Sequence, residues 1–221
     1  MIYIYSPHKG KQWIALQKQF VDENTPQEHY LFQYMVPRKR MHVAALNTIL
    51  ELVSLKGRSG DLIVIVDSDA FPISPDWIAK VEDYLSDKWK NEFVAIQRLE
   101  NPRSYKEIAH PCFCTWHKGT HISFDEVVRN PYIVGYDNRT WKKLWRTNDR
   151  ELHQLLYGVY DNMVYHHGAG SRDVKGQGFF RSGLPYGEYF FNDPKRFIAY
   201  LRGSNDSEYF DMLFRAKQAF S

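Results

Sequence analysis

The sequence DLIVIVDSDAFP, Asp61–Pro72, contains an unbroken apolar run that ends in two aspartates one residue apart. The five aliphatic residues of Leu62–Val66 are typical of a strand that is buried on both faces, as strands are inside a parallel sheet. Asp67 and Asp69 come directly after this strand. Because the ligand crevice of an open α/β sheet lies beyond the carboxyl ends of its strands, the sequence predicts that both carboxylates face a ligand.

Carboxylates two residues apart at the end of a strand can both reach one divalent cation, and such cations commonly hold a diphosphate. We therefore expect Asp67 and Asp69 to bind a metal ion. The alternative is an ordinary turn, because Asp, Ser and Pro are frequent in loops of every class of protein. The buried strand before the two aspartates and the Phe71-Pro72 pair after them favour the metal site.

Strands and helices alternate along the first half of the chain. Strands are predicted at Ile2–Tyr5, Tyr30–Val36, Leu62–Val66 and Phe93–Leu99. Apolar residues at helical spacing predict helices over 11–21 and 41–55, and a third helix after Ser74-Pro75-Asp76. This order predicts a single-domain α/β fold with a mostly parallel central sheet flanked by helices. The second half is less regular, with short strands predicted at Phe113–Trp116, His121–Phe124, Tyr132–Val134 and Met163–His167.

The composition limits the classes of partner. With 221 residues and 43% hydrophobic content, the chain can bury a core of its own. The net charge of +3 is small beside 29 basic and 26 acidic residues, which argues against a nucleic-acid partner. No apolar run approaches the length of a transmembrane segment, and the N-terminus lacks the features of a signal peptide. Cys112 and Cys114 are poorly placed to bridge each other, which argues against a secreted domain stabilised by disulfides. We therefore expect a cytoplasmic protein. The chain could also be part of a longer multidomain protein.

Two neighbouring segments resemble a known family. HVAALNTIL, His42–Leu50, and GDLIVIVDSDAFP, Gly60–Pro72, resemble the helix and the DxD segment of GT-A fold glycosyltransferases. The resemblance implies a Rossmann-like GT-A domain in which residues 1–100 bind a nucleotide sugar, residues 101–175 form the acceptor and catalytic half, and residues 176–221 are a C-terminal extension. It also implies that Asp67, Asp69 or both bind Mn²⁺ or Mg²⁺ on the diphosphate of a UDP- or GDP-type sugar donor, and that the acceptor is a carbohydrate.

A second motif concerns the catalytic base. TNDRELHQLLYG, Thr147–Gly158, resembles the acidic motif of inverting glycosyltransferases of family 2, which implies that Asp149 is the general base. Such a base accepts the proton of the acceptor hydroxyl as the anomeric carbon is attacked. The family usually has Glu before this Asp, whereas this chain has Asn148. The alternative is that Asp149 only stabilises a helix N-terminus, and Glu151 is then the reserve candidate.

A third motif supplies a candidate histidine ligand. In VYHHGAGSRD, Val164–Asp173, a predicted strand carries two histidines into a Gly-rich turn, and His167–Gly170 resembles the H-x-x-G element of retaining enzymes of family 8. The resemblance implies that His167 is the third metal ligand. Alternation along a strand places His166 and His167 on opposite faces, so we expect only one of them to reach the metal.

Two arginines complete the predicted site. Arg172 could contact a phosphate oxygen through its planar guanidinium, and Arg38, just after the second predicted strand, could contact phosphate or nucleoside. The alternative is that Arg172 is a surface charge and that Arg38 belongs to a solvated basic run, as such runs usually are. The sequence therefore predicts a metal-dependent, inverting glycosyltransferase. A retaining enzyme with the same metal site and a non-catalytic carbohydrate-binding domain of the same fold are the alternatives.

Overall fold

The computed structural model describes residues 1–8, 11, 13–36, 48–49, 52–53, 55–86, 94–99, 107–119, 159–160, 162–167, 190–209, 211–212 and 215. Its strands are β1 (Ile2–His8), β2 (His29–Met35), β3 (Leu62–Val66), β4 (Ala70–Pro72), β5 (Val94–Leu99), β6 (Glu107–His117), β7 (Val159–Tyr160) and β8 (Val164–His166). Its helices are α1 (Ile14–Asn24), α2 (Trp77–Leu85) and α3 (Pro194–Leu201).

The main sheet has the strand order β2-β1-β3-β6-β5. Strands β2, β1 and β3 are parallel, whereas β6 runs antiparallel to both of its neighbours, β3 and β5. Four of the five strands therefore point in the same direction. The predicted α/β fold with a mostly parallel central sheet flanked by helices is confirmed, and the strand that ends at the two aspartates lies in the middle of that sheet.

The side chains of β3 explain why this strand is central. Leu62, Val64 and Val66 pack on one face of the sheet against buried residues of α1 and α2. Ile63 and Ile65 pack on the opposite face, in a cluster that includes helical residues at positions 49 and 53. Because helical residues cover both faces of the sheet at β3, every side chain of this strand is buried, and an all-aliphatic sequence suits this position.

Strand β6 is longer than the sequence predicts. The expected strand Phe113–Trp116 is the end of an eleven-residue strand that begins at Glu107. Pro111 interrupts the pattern in the sequence because proline cannot donate a ladder hydrogen bond. The register between β5 and β6 shifts at this point: Ala95 pairs with Cys114, and the next residue of β5 pairs with His110. Pro111 therefore lies in a β-bulge, where the strand accommodates it.

A small antiparallel sheet of order β4-β8-β7 adjoins the two aspartates. Phe71 of β4 pairs with Tyr165 of β8, and both belong to an aromatic core that also contains Trp13, Phe190 and Phe197. Because Ala70–Pro72 looks like a loop between a strand and a helix, the sequence does not predict a strand there. Its pairing partner lies more than ninety residues away, so no local pattern could indicate it.

Gly57 and Gly60 both have positive φ, a backbone conformation that favours glycine. Gly57 has φ of +78°, and a Cβ placed there would lie 2.9 Å from the ring of Tyr3, whereas Gly60 has φ of +87° with open space around it. Arg196 of α3 makes a bidentate ion pair with Asp206, which links α3 to the C-terminal segment.

In the part of the chain that the structure describes, no helix is long and apolar enough to cross a membrane.

Candidate metal centre

The backbone from Asp67 to Ala70 is a tight turn that leads from the main sheet into the small one. The Asp67 N–H donates to the carbonyl of Cys112 in β6 at 2.8 Å, beside the β-bulge. The Ala70 N–H donates to the Asp67 carbonyl at 3.0 Å and closes the turn. The His167 N–H donates to the Asp69 carbonyl at 2.9 Å. Neighbouring elements thus hold the turn at both ends.

Three side chains meet at this turn. One ligand atom from each of Asp67, Asp69 and His166 lies within 4.8 Å of the others, and Asp69 Oδ1 is 3.9 Å from His166 Nε2. Asp69 and His166 are only 4% and 3% exposed, and Asp67 is half-buried. The structure therefore forms a compact, largely buried set of two carboxylates and one imidazole, which could bind a metal ion.

The pairing of β4 with β8 decides which histidine joins the carboxylates. His166 pairs directly with Ala70, the residue that follows Asp69. This pairing brings the His166 side chain close to the carboxylate of Asp69. The sequence resemblance implies His167 as the ligand, but the structure groups His166 with Asp67 and Asp69. The two histidines do differ in direction, as strand alternation predicts.

His167 instead belongs to the aromatic core. Its ring is 4.9 Å from that of Trp13 and 5.0 Å from that of Phe190, centre to centre. Its Nδ1 is hydrogen-bonded to the Tyr165 hydroxyl at 2.9 Å, and its side chain is buried. His167 therefore packs against aromatic rings of the core and makes a buried hydrogen bond to Tyr165.

The donor set fits a divalent cation. Oxygen and nitrogen ligands lie at about 2.0–2.2 Å from Mg²⁺ or Zn²⁺, so two ligands of one ion are about 3–4.4 Å apart. The distances in this group come close to that range, and small rotations of the side chains would close the remainder. Two carboxylates gathered in a buried place repel each other, and a cation offsets that repulsion. Carboxylate oxygens with a single imidazole suit Mn²⁺ and related ions better than Mg²⁺, which prefers oxygen ligands alone.

A buried polar network lies behind the turn. The Gln17 side chain in α1 donates from Nε2 to the carbonyls of Asp67 and Ala70, at 2.8 and 2.9 Å. Its Oε1 accepts from Gln33 Nε2 at 2.9 Å and lies 3.1 Å from His8 Nε2. Both Gln17 and His8 are fully buried.

The electrostatics of His8 follow from its position at the end of β1. Burial lowers the pKa of His8, while the hydrogen bond to Gln17 and the negative charge of Asp69 oppose that shift. His8 is therefore a neutral imidazole near neutral pH. Since Gln17 Oε1 can only accept, the proton of His8 is on Nε2.

The sequence analysis missed Gln17 and His8, although one signal was present. Gln17 lies between Trp13, Phe20 and Val21 on the buried side of α1, where an apolar residue is expected. A polar side chain in such a position must be hydrogen-bonded inside the protein. The other predicted site residues, Asp149, Arg172 and Arg38, lie outside the described residues, as does the reserve candidate Glu151.

Comparisons with known proteins give little more. No protein-family model matches the chain, and no curated protein sequence does. A glycosyltransferase involved in the glycosylation of the major capsid of PBCV-1 shares 15% identity with a TM-score of 0.37, over 71% of this chain and 73% of that one. The protein A197 from STIV shares 16% identity with a TM-score of 0.35, over 53% of this chain, which spans 64% of A197. Similarities this weak do not establish a common fold, so the functional case rests on the side chains of the site.

Proposed function

We propose that this protein is a metal-dependent glycosyltransferase of the GT-A type. It would transfer a sugar from a nucleoside diphosphate sugar, of the UDP or GDP type, to a hydroxyl group of a carbohydrate acceptor. The observation that carries the proposal is the group Asp67, Asp69 and His166 at the end of the central strand. The resemblance of the DxD segment to that family supports the same reading.

The position of the group suits a diphosphate ligand. It follows the middle strand of the main sheet, where the ligand crevice of an α/β fold lies. Asp67, Asp69 and His166 would hold Mn²⁺ or Mg²⁺, and the bound cation would neutralise charge on the departing diphosphate. Asp67 is the more exposed of the two carboxylates, so of the two it is the more accessible to a donor.

The remaining roles rest on the sequence. Asp149 would accept the proton of the acceptor hydroxyl in an inverting transfer. Arg172 and Arg38 would contact the phosphates of the donor, since a guanidinium presents a planar fork to a phosphate group. A retaining reaction would use the same metal group without Asp149 as base. The anomeric configuration of the product, determined by NMR, distinguishes these two reactions.

The test is Mn²⁺-dependent hydrolysis and transfer across a panel of UDP- and GDP-sugars. We expect activity with at least one donor, its loss on chelation, and its loss in the variants Asp69→Asn and His166→Ala. Asp211→Asn removes an exposed carboxylate of the C-terminal segment and serves as the matched control. An absence of binding and turnover with every donor would contradict the proposal and favour a non-catalytic domain.

A further inference from the structure

Gln17 uses all of its hydrogen-bonding capacity inside the protein. Its two amide protons go to the carbonyls of Asp67 and Ala70, and its oxygen receives two donors, from Gln33 and His8. The chain separations across the two donated bonds are 50 and 53 residues, so these are tertiary contacts. A buried polar side chain whose donors and acceptors are all hydrogen-bonded makes the surrounding structure more rigid and more specific.

The two carbonyls that Gln17 contacts bracket the turn. Asp67 is its first residue and Ala70 its last, and Asp69 lies between them. The amide NH₂ group is therefore bonded to both ends of the segment that carries the two carboxylates. Movement of either end relative to α1 would break one of these two bonds.

Only an amide matches this arrangement. A glutamate in place of Gln17 would turn a carboxylate oxygen towards two carbonyl oxygens, which is repulsive. A methionine of similar length would leave the carbonyls without these donors, and buried acceptors that lose a partner are costly. Both substitutions preserve the approximate volume of the side chain.

We propose that Gln17 is a positioning residue for the metal group: it holds the Asp67–Ala70 turn so that the carboxylates of Asp67 and Asp69 stay within ligand distance of His166. It contributes no ligand atom to the metal group and acts through the backbone of the turn. The inference rests on the proposed function, because it deepens the account of the same site. Groups that orient metal ligands from outside typically change metal affinity by about ten- to a hundred-fold when they are removed.

The experiment measures Mn²⁺ binding by electron paramagnetic resonance, with no nucleotide present, for the wild type, Gln17→Met and Gln17→Glu. We expect both variants to bind Mn²⁺ about ten- to a hundred-fold more weakly, with a broadened spectrum for the ion that remains bound. Gln17→Glu keeps the acceptor for Gln33 and His8 but replaces the two donated bonds by repulsion, so it provides a second test should Gln17→Met fold poorly.

Two controls separate positioning from general loosening. Gln33→Met removes a neighbour of Gln17 but leaves both bonds to the turn, so its Mn²⁺ affinity should stay within about twofold of the wild type. Gln19→Met lies on the exposed side of the same helix, where Gln19 donates to Glu23, and should change nothing. Equal weakening in Gln33→Met and Gln17→Met would overturn the inference, as would wild-type affinity in both Gln17 variants.

A second readout does not depend on metal. Hydrogen exchange of the Ala70 and His167 amides, which donate to the carbonyls of Asp67 and Asp69, should become faster in the metal-free Gln17 variants and stay unchanged in Gln33→Met. Unchanged exchange in the Gln17 variants would refute the positioning role. A wild-type protein that binds Mn²⁺ but turns over no donor would contradict the proposed function and leave the role of Gln17 standing.

Discussion

Replacement of Asp69 by asparagine should have opposite effects on stability with and without metal. The substitution keeps the size of the side chain and the Asp69 carbonyl that accepts from His167, but it removes one negative charge from a buried group. In the metal-free protein this relieves repulsion between two carboxylates. In the metal-loaded protein it removes a ligand.

The metal-free effect can be estimated from the geometry. The ligand atoms of Asp67 and Asp69 lie no more than 4.8 Å apart, and two unit charges at that separation repel by about 3 kcal/mol at an effective dielectric constant of about 20. Solvent reaches half-buried Asp67 and screens part of this repulsion. We therefore expect Asp69→Asn to raise the free energy of unfolding by about 1–2 kcal/mol, a rise in Tm of about 2–8 °C for a chain of this length.

The metal-dependent effect has a comparable size and favours the wild type. At a free metal concentration about 100 times Kd, binding adds about 2.7 kcal/mol to the stability of the native state. This corresponds to a rise in Tm of about 5–10 °C, which Asp69→Asn should lack. The variant should therefore unfold at a higher temperature than the wild type in EDTA and at a lower temperature in Mn²⁺.

Differential scanning calorimetry in EDTA and in a Mn²⁺ titration measures both effects, with Asp211→Asn as the matched control. The reasoning is refuted if Asp69→Asn keeps the metal-dependent rise in Tm. A variant that is less stable than the wild type in EDTA would also contradict this prediction, because it would show that the two carboxylates do not repel each other in the metal-free protein.

Three further predictions concern single side chains. His166→Ala should abolish Mn²⁺ binding, whereas His167→Ala should retain it. His167→Ala should instead lower the free energy of unfolding by about 2–4 kcal/mol, because it leaves a cavity in the aromatic core. Mn²⁺ titration and urea unfolding of both variants measure these effects. Burial raises the pKa of Tyr5 to about 12, so the folded state holds this proton more tightly than the unfolded chain, and stability should fall as pH rises from about 10 to 12. Tyr5→Phe should reduce that fall in urea unfolding at alkaline pH. Gly57→Ala should cost more stability than Gly60→Ala in thermal unfolding, because both have positive φ but only position 57 meets the Tyr3 ring; equal losses would contradict this.

The sequence predicts the carboxylate pair well because its evidence is local. The run Leu62–Val66 is typical of a strand covered on both sides, and the strand end then predicts where Asp67 and Asp69 lie. The same argument finds the parallel neighbours of this strand, since their apolar patterns are equally local. The structure confirms these elements and the mixed, mostly parallel sheet that they form.

The choice of histidine could not be predicted in this way. His166 and His167 are adjacent, and which of them faces the carboxylates depends on the register of β8 against β4. A shift of one residue in that register would exchange the two side chains. The register is fixed by packing of Phe71 and Tyr165 in the aromatic core, a contact between distant parts of the chain.

The geometry of the candidate metal group thus depends on three elements outside the turn that carries the carboxylates. A carbonyl of β6 accepts the Asp67 N–H, β8 supplies His166, His167 directly after β8 supplies the N–H that bonds to Asp69, and α1 supplies the amide of Gln17. A cation shared by Asp67, Asp69 and His166 would link the end of β3 to β8 directly. Because a ligand stabilises the conformation to which it binds, metal binding and the pairing of β4 with β8 should strengthen each other. An Asp-x-Asp sequence without the paired strand would have neither the third ligand nor the fixed turn, which is why the motif alone identifies a candidate and the tertiary contacts make it a site.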